Sequence, residues 1–146
     1  MDRLIKLREM TVDDAEELYS VIDNCRADLS NLVWAEAATL ESTRTYLRIA
    51  SAVEKLRAIC VDGQIVGCIT LRFGVDADEI GYWLGYDRGC GLMKHAVKLM
   101  IADHDKTITA RVKSKNFASQ AILKSANFKI VNETDDWIFF EKASYQ

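Results

Sequence analysis

The chain has 146 residues, is 49% hydrophobic and 28% charged, and carries a formal net charge of −3. That length predicts one domain, residues 1–146, with a sizeable core, and the near-balanced charge excludes bulk attraction to nucleic acid or a membrane surface. No apolar run approaches the roughly 18 residues a membrane span needs, no signal peptide is visible, and Cys25, Cys60, Cys68 and Cys90 lack metal or redox spacing, so a cytoplasmic protein with reduced thiols and no metal is expected.

Taken in order, Leu4 to Arg8 alternates apolar and charged residues and predicts a half-buried strand. Thr11 is an N-cap, with Asp13 and Asp14 in the positive first turn; Ala15, Leu18, Tyr19 and Ile22 then form one buried helical stripe. Asn24 to Ala38 reads as a short helix plus loop. Trp34 within it either packs under that loop or walls a pocket. Thr39 caps a second helix whose inner face is Leu40, Thr43, Leu47 and Ala50. Arg57 to Val61 is an apolar strand, Asp62-Gly63 a hairpin turn, and Ile65 to Phe73 the returning strand. Gly67 inside it signals a bulge or a close packing point. Cys60 and Cys68 read as core thiols. Thr107 to Val112 is another strand. Asn116 caps a helix with Ala118, Ile122 and Leu123 inward. Phe128 to Val131 and Trp137 to Glu141 form a closing hairpin around the polar turn 132–136. Trp137, Phe139 and Phe140 on it serve either the core or a partner surface.

One stretch carries most of the chemistry. Glu79-Ile80-Gly81-Tyr82-Trp83-Leu84 predicts a strand, Arg88, Gly89 and Gly91 a tight turn, and Leu92, Ala96, Leu99 and Met100 the apolar face of a helix. Main-chain N–H groups in a helix's first turn have no internal partner, and the helix dipole makes that end positive. Glycines let an anion approach them, and Arg88 adds a forked cation, so the stretch predicts a phosphate-type site beside a strand end. A nucleotide-triphosphate loop needs a different glycine spacing followed by Lys-Ser or Lys-Thr. A dinucleotide fingerprint needs a third glycine where Lys94 stands.

Arg88-Gly89-Cys90-Gly91-Leu92 resembles the acyl-CoA loop of the GNAT acetyltransferase superfamily up to its last position, here Met93. That methionine and Glu79–Leu84 resemble the ribosomal-protein N-terminal acetyltransferase (RimL/RimJ-like) branch. The order β-α-α-β-β-β-α-β-α-β-β is similar to the GNAT fold across nearly the whole chain. The resemblance implies an α+β fold: a mixed, mostly antiparallel central sheet, splayed after the fourth strand and flanked by about four helices. It also implies acetyl-CoA as co-substrate, with the main chain of Arg88, Gly89, Cys90, Gly91, Leu92 and Met93 around the diphosphate. Tyr82 and Leu84 match positions whose backbone pairs with the pantetheine arm. Asn116-x-x-Ser119 matches the asparagine that bonds that arm and the serine proposed to protonate the leaving thiolate. Cys90 stands where the family often has a basic residue, and its side chain is read as incidental.

The implied reaction is direct attack of an amine on the thioester. A thiol's pKa is about 8.5, so the thiolate leaves with little acid help and a weak donor such as Ser119 suffices. An α-amine with a pKa near 8 is roughly a tenth neutral at pH 7, whereas a lysine near 10.4 is neutral about once in a few thousand molecules. One modest base therefore suits an α-amine better, so a protein N-terminus is preferred as acceptor over a small amine such as a polyamine or aminoglycoside. Glu79 is the candidate base; its rival role is a buried strand carboxylate. Asp76 and Asp78 read as solvated loop residues, and the acidic clusters 13–17 and 76–79 either line an acidic groove or serve as caps. The chain departs from the branch in three places: a link from Leu84 to Arg88 one residue short, Asn127 in a glycine position, and Val131 where some relatives carry a glutamate. Leu123 replaces the tyrosine acid of other members. These departures also fit a CoA-binding sensor or subunit without transfer activity, or a purely structural relative. A monomer or homodimer is expected.

Overall fold

In the computed structural model, which describes residues 4–29, 32–87 and 89–144, the first strand β1 (Ile5–Arg8) leads into a capping box. The Thr11 hydroxyl accepts from the Asp13 N–H at 3.2 Å, and the Asp14 carboxylate accepts from the Thr11 N–H at 2.8 Å. These bonds satisfy first-turn donors that a helix cannot satisfy itself. A 3-10 turn (Val12–Asp14) then opens α1 (Ala15–Asn24), which buries Ala15, Leu18, Val21 and Ile22. A short α2 (Val33–Ala37) follows, then α3 (Leu40–Val53), where Thr39 and Ser42 form a second capping box and Thr43, Leu47 and Ala50 face inward.

The hairpin of β2 (Glu54–Val61) and β3 (Gln64–Arg72) turns on Asp62 and Gly63, both with positive φ. Asparagine, aspartate and glycine tolerate that twist, which the strands require. The register slips between Ile59 and Cys60, leaving Val66 as the extra residue of a bulge. Beside it, a Cβ on Gly67 would lie 2.1 Å from the Trp83 carbonyl oxygen, so both expectations for Gly67 hold. The chain continues through β4 (Ala77–Leu84), α4 (Leu92–Ile101), β5 (Thr107–Lys113), α5 (Phe117–Ser125), β6 (Lys129–Glu133) and β7 (Trp137–Lys142).

The seven described strands form one sheet in the order β1-β2-β3-β4-β5-β7-β6. Neighbours are antiparallel except β4 and β5, which run parallel and pair only at Ala77–Glu79 with Thr107–Thr109. Among the described residues, β4 from Ile80 onward has no strand partner on its β5 side. The expected splay is therefore present, immediately after Glu79. One sheet face packs Ile80, Ile108, Ala110 and Phe140 against α4 and α5; the other packs Ala58, Cys60 and Cys68 against α1 and α3.

The short α2 is the short helix expected within Asn24 to Ala38. Several expected orientations change. Leu99 is exposed, and α4 instead buries Leu92, Met93, Ala96, Val97, Met100 and Ile101. Ala118 is exposed, while α5 buries Gln120 and Leu123. Asp78 is a buried strand residue rather than a solvated loop residue. Cys25, Cys60 and Cys68 are buried free thiols, and burial pushes the Cys68 thiol well up.

Candidate active site

At the end of β4 the Gly85 N–H donates 2.8 Å to the Val66 carbonyl of the bulge. A Cβ on Gly85 would stand 2.7 Å from Val21 Cγ1 and 3.0 Å from Cys25 Sγ, so this glycine lets the strand end close on α1. The chain then reverses through left-handed residues, Asp87 at φ 61°, Gly89 at 78° and Gly91 at 81°. The exposed Cys90 thiol donates to the Asp87 carbonyl at 2.8 Å, so its side chain closes the turn. Gly91 is the N-cap of α4, and among the described residues no side chain caps that helix. A Cβ on Gly89 or Gly91 would meet nothing within 4 Å. The glycines are needed for their backbone angle, and they face open space. Leu92 and Met93 are buried, which leaves their main chain as what the loop offers. An uncapped first turn, a positive dipole end and an open approach together fit an anion such as a diphosphate. Arg88 lies outside the described residues.

A second group gathers where β4 parts from β5. Asn116 caps α5, its side-chain oxygen accepting from the Ser119 N–H at 3.1 Å. Gln120 Nε2 donates to the carbonyls of Lys113 and Ser114 at 3.3 and 3.0 Å and holds the turn between β5 and α5. The Ser119 hydroxyl then meets the Tyr82 hydroxyl at 2.6 Å. Tyr82 reaches across from β4, so its hydroxyl joins this group. Burial pushes its phenol up to about 12, against a smaller opposite pull from the Ser119 hydrogen bond. Leu84 packs its side chain in the core and leaves its main chain at the gap. Leu123 is fully buried.

The opposite sheet face carries Glu79, the last residue of β4 paired with β5. Its Oε2 accepts from Arg111 Nε at 3.0 Å, and the Arg111 guanidinium lies 5.8 Å from the Trp137 ring centre. Glu79 and Arg111 line a hollow of about 360 Å³ with Thr109, Val131, Asn132 and Phe139. Val131 is the extra residue at the register slip between Ile130 and Asn132. Trp34 is about half exposed and meets Trp83 edge to face with ring centres 5.7 Å apart. Several carboxylates of the acidic clusters are engaged in local contacts. Asp14 pairs with Arg8, Glu17 accepts from the Ile65 N–H, and Asp78 is held by Gly74 and Lys106.

Sequence reasoning missed Arg111, the Tyr82 hydroxyl and the buried Asp78. Each depends on a contact between residues 28 to 37 positions apart. Strand alternation does put Arg111 on the Thr109 face, but only the β4–β5 register brings Glu79 there.

No curated protein sequence matches the chain. Its fold matches RimL, a ribosomal L7/L12 α-N-protein acetyltransferase solved with coenzyme A, at a TM-score of 0.87 and 17% identity over 96% of this chain and 94% of that one. It also matches MccE, a microcin C7 self-immunity acetyltransferase solved with acetyl-CoA and AMP, at 0.84 and 18% identity over 98% and 93% of the two chains. A ribosomal-protein-S5-alanine acetyltransferase from Vibrio fischeri matches at 0.80 and 18% identity over 99% and 97%. At such identities these likenesses speak for the fold alone. The sequence profile described as the acetyltransferase (GNAT) domain, however, matches residues 3–129. With most of the chain inside that match and the splayed sheet around it, the protein belongs to the GNAT family of acetyl-CoA-dependent acetyltransferases.

Proposed function

We propose that the protein transfers the acetyl group of acetyl-CoA to the nitrogen of an α-amine, at a protein N-terminus or on a small molecule. The observation that carries this reading is the parting of β4 from β5 after Glu79: among the described residues, positions 80–83 have no strand partner on the β5 side, and the chain beyond them leads to the glycine N-cap of α4. In the proposed complex the diphosphate rests on the main chain from Arg88 to Met93. The pantetheine arm follows Tyr82 and Leu84 through the gap and passes Asn116. The thioester sulfur comes to Ser119. Main-chain groups that lose a strand neighbour at such a gap take other partners, and an amide-bearing arm can supply them.

The amine approaches from the Glu79 face. It attacks the thioester carbonyl carbon, a C–N bond forms, and the C–S bond breaks to release the thiolate. Glu79, directly or through a water, takes the proton the nitrogen loses. Arg111 already engages one oxygen of that carboxylate, which leaves the other for the amine. The hollow thus carries one carboxylate and one guanidinium beside neutral and apolar residues. That balance favours a singly charged amine over a polycation, because the guanidinium repels a second positive charge.

The test is thiol release from acetyl-CoA against a panel of short peptides with free N-termini, amino acids, a polyamine and an aminoglycoside. Release with at least one α-amine, exceeding that with the polycations, supports the reading. A second reading, a CoA-binding sensor, draws on Leu123 and Val131, both apolar where catalytic groups stand in some relatives. CoA binding without release for any amine would favour it. Among the described residues no helix is long and apolar enough to cross a membrane.

A further inference from the structure

Two hydroxyls 2.6 Å apart share a single hydrogen between them, and their acidities decide whose it is. A phenol is a much stronger donor than an aliphatic alcohol, whose oxygen is the better acceptor. Tyr82 is therefore the donor and Ser119 Oγ the acceptor. Neither hydroxyl has another hydrogen-bond partner among the described residues. Once Ser119 Oγ accepts from Tyr82, its own hydrogen must turn away from the ring and is free for a third group. Asn116 fixes the base of the same serine by accepting from its N–H, so the residue is held at two points.

We infer that Tyr82 is a positioning residue that aims the Ser119 hydrogen at the sulfur of the departing thiolate. This rests on the transferase reading above and deepens it. As the C–S bond breaks, negative charge collects on sulfur, and the Ser119 O–H donates a hydrogen bond to it. No proton leaves Tyr82. Burial holds the phenol near 12, so passing its proton to a thiolate of pKa about 8.5 would run uphill by three to four powers of ten. The thiolate leaves as an anion and collects its proton from water afterwards, balancing the one the amine gave up. The benefit arises only as charge develops on sulfur, so it acts on kcat rather than on the binding of acetyl-CoA.

The experiment is a double-mutant cycle on the full chain with acetyl-CoA and the best amine of the panel. Tyr82→Phe keeps the ring and removes only the oxygen; it is expected to lower kcat about tenfold, the usual effect of one hydrogen bond. The KM for acetyl-CoA and the Kd for CoA should stay within about twofold. Ser119→Ala should lower kcat at least as far. Adding Tyr82→Phe to Ser119→Ala should then change kcat by less than about twofold, because the hydroxyl it aims is gone. Tyr82→Leu serves the same cycle should the phenylalanine variant fail to fold. Equal losses from Tyr82→Phe in both backgrounds would mean a packing role and overturn the inference, as would an unchanged kcat. A wild type that binds CoA but releases thiol with no amine would overturn the transferase reading itself, and the Tyr82 role with it.

Discussion

Arg111 donates through Nε to the Glu79 carboxylate, 3.0 Å away, at the point where β4 and β5 separate. The arginine side chain is 55% exposed and the glutamate 32%, so as a stabilising ion pair the contact contributes only about 0–1 kcal/mol. Its expected importance is positional. Glu79→Gln should lower kcat/KM for an α-amine by about 100-fold at pH 7 if Glu79 takes the amine's proton. The deficit should shrink toward pH 9, where the amine is already neutral. A pH–rate profile reads this directly, and a uniform loss at every pH would assign Glu79 a structural role.

Gly91→Glu addresses the loop. At φ 81° any side chain is strained by about 1–2 kcal/mol, yet nothing within 4 Å would clash with it. A folded variant is therefore expected, carrying a negative charge where the diphosphate is proposed to rest. CoA affinity by calorimetry should fall at least about 100-fold, the combined effect of charge and bulk. Gly91→Ala introduces the strain without the charge and should lose far less.

Gly67→Ala should destabilise the fold without touching the loop. Its Cβ would stand 2.1 Å from the Trp83 carbonyl oxygen and 2.9 Å from Leu84 Cα. Both are backbone atoms that cannot rotate aside, so β3 and β4 must move apart, at a cost of about 1–3 kcal/mol or more. Chemical denaturation measures the loss. Gly63→Ala is the contrast: it meets nothing within 4 Å and brings only the strain of its positive φ.

Asp78 should make stability depend on pH. Its burial opposes ionisation, but the Gly74 N–H and the Lys106 ammonium outweigh that and hold the carboxyl below its ordinary value. His104 Nε2 lies 2.9 Å from the second oxygen, off the line of a hydrogen bond, and adds a positive charge when protonated. A lowered carboxyl stabilises the fold above its unfolded pKa, and that contribution fades as pH falls through the folded value. Asp78→Asn should therefore be less stable than wild type by about 1–3 kcal/mol from pH 5 to 7. The two denaturation curves should converge below the ordinary value of 3.8. A gap that persists there would attribute the loss to packing.

The readable parts of the sequence were those governed by neighbours in the chain. Thr11, Thr39 and Asn116 cap their helices, and Asp62-Gly63 turns its hairpin, because caps and tight turns are settled within three or four residues. The glycine loop was legible for the same reason. Helix faces were harder. α4 is apolar around much of its circumference, so Leu99 and Val97 compete for the inside and only packing decides for Val97. Contacts between separate elements were not legible at all. Arg26 shows this well: it donates to the carbonyls of Ala35 and Ala38 at 2.7 Å each and ties α2 back to α1, with no local pattern to announce it. The Tyr82–Ser119 and Glu79–Arg111 pairs belong to the same class, since they exist only once β4 and β5 are set side by side.

The most direct measurement is a crystal structure of the protein soaked with coenzyme A. The account predicts the diphosphate within hydrogen-bonding distance of the main-chain N–H groups between Gly89 and Met93, and the sulfur beside the Ser119 hydroxyl. A diphosphate bound elsewhere, or a gap between β4 and β5 closed by the protein's own side chains with CoA on the surface, would contradict it.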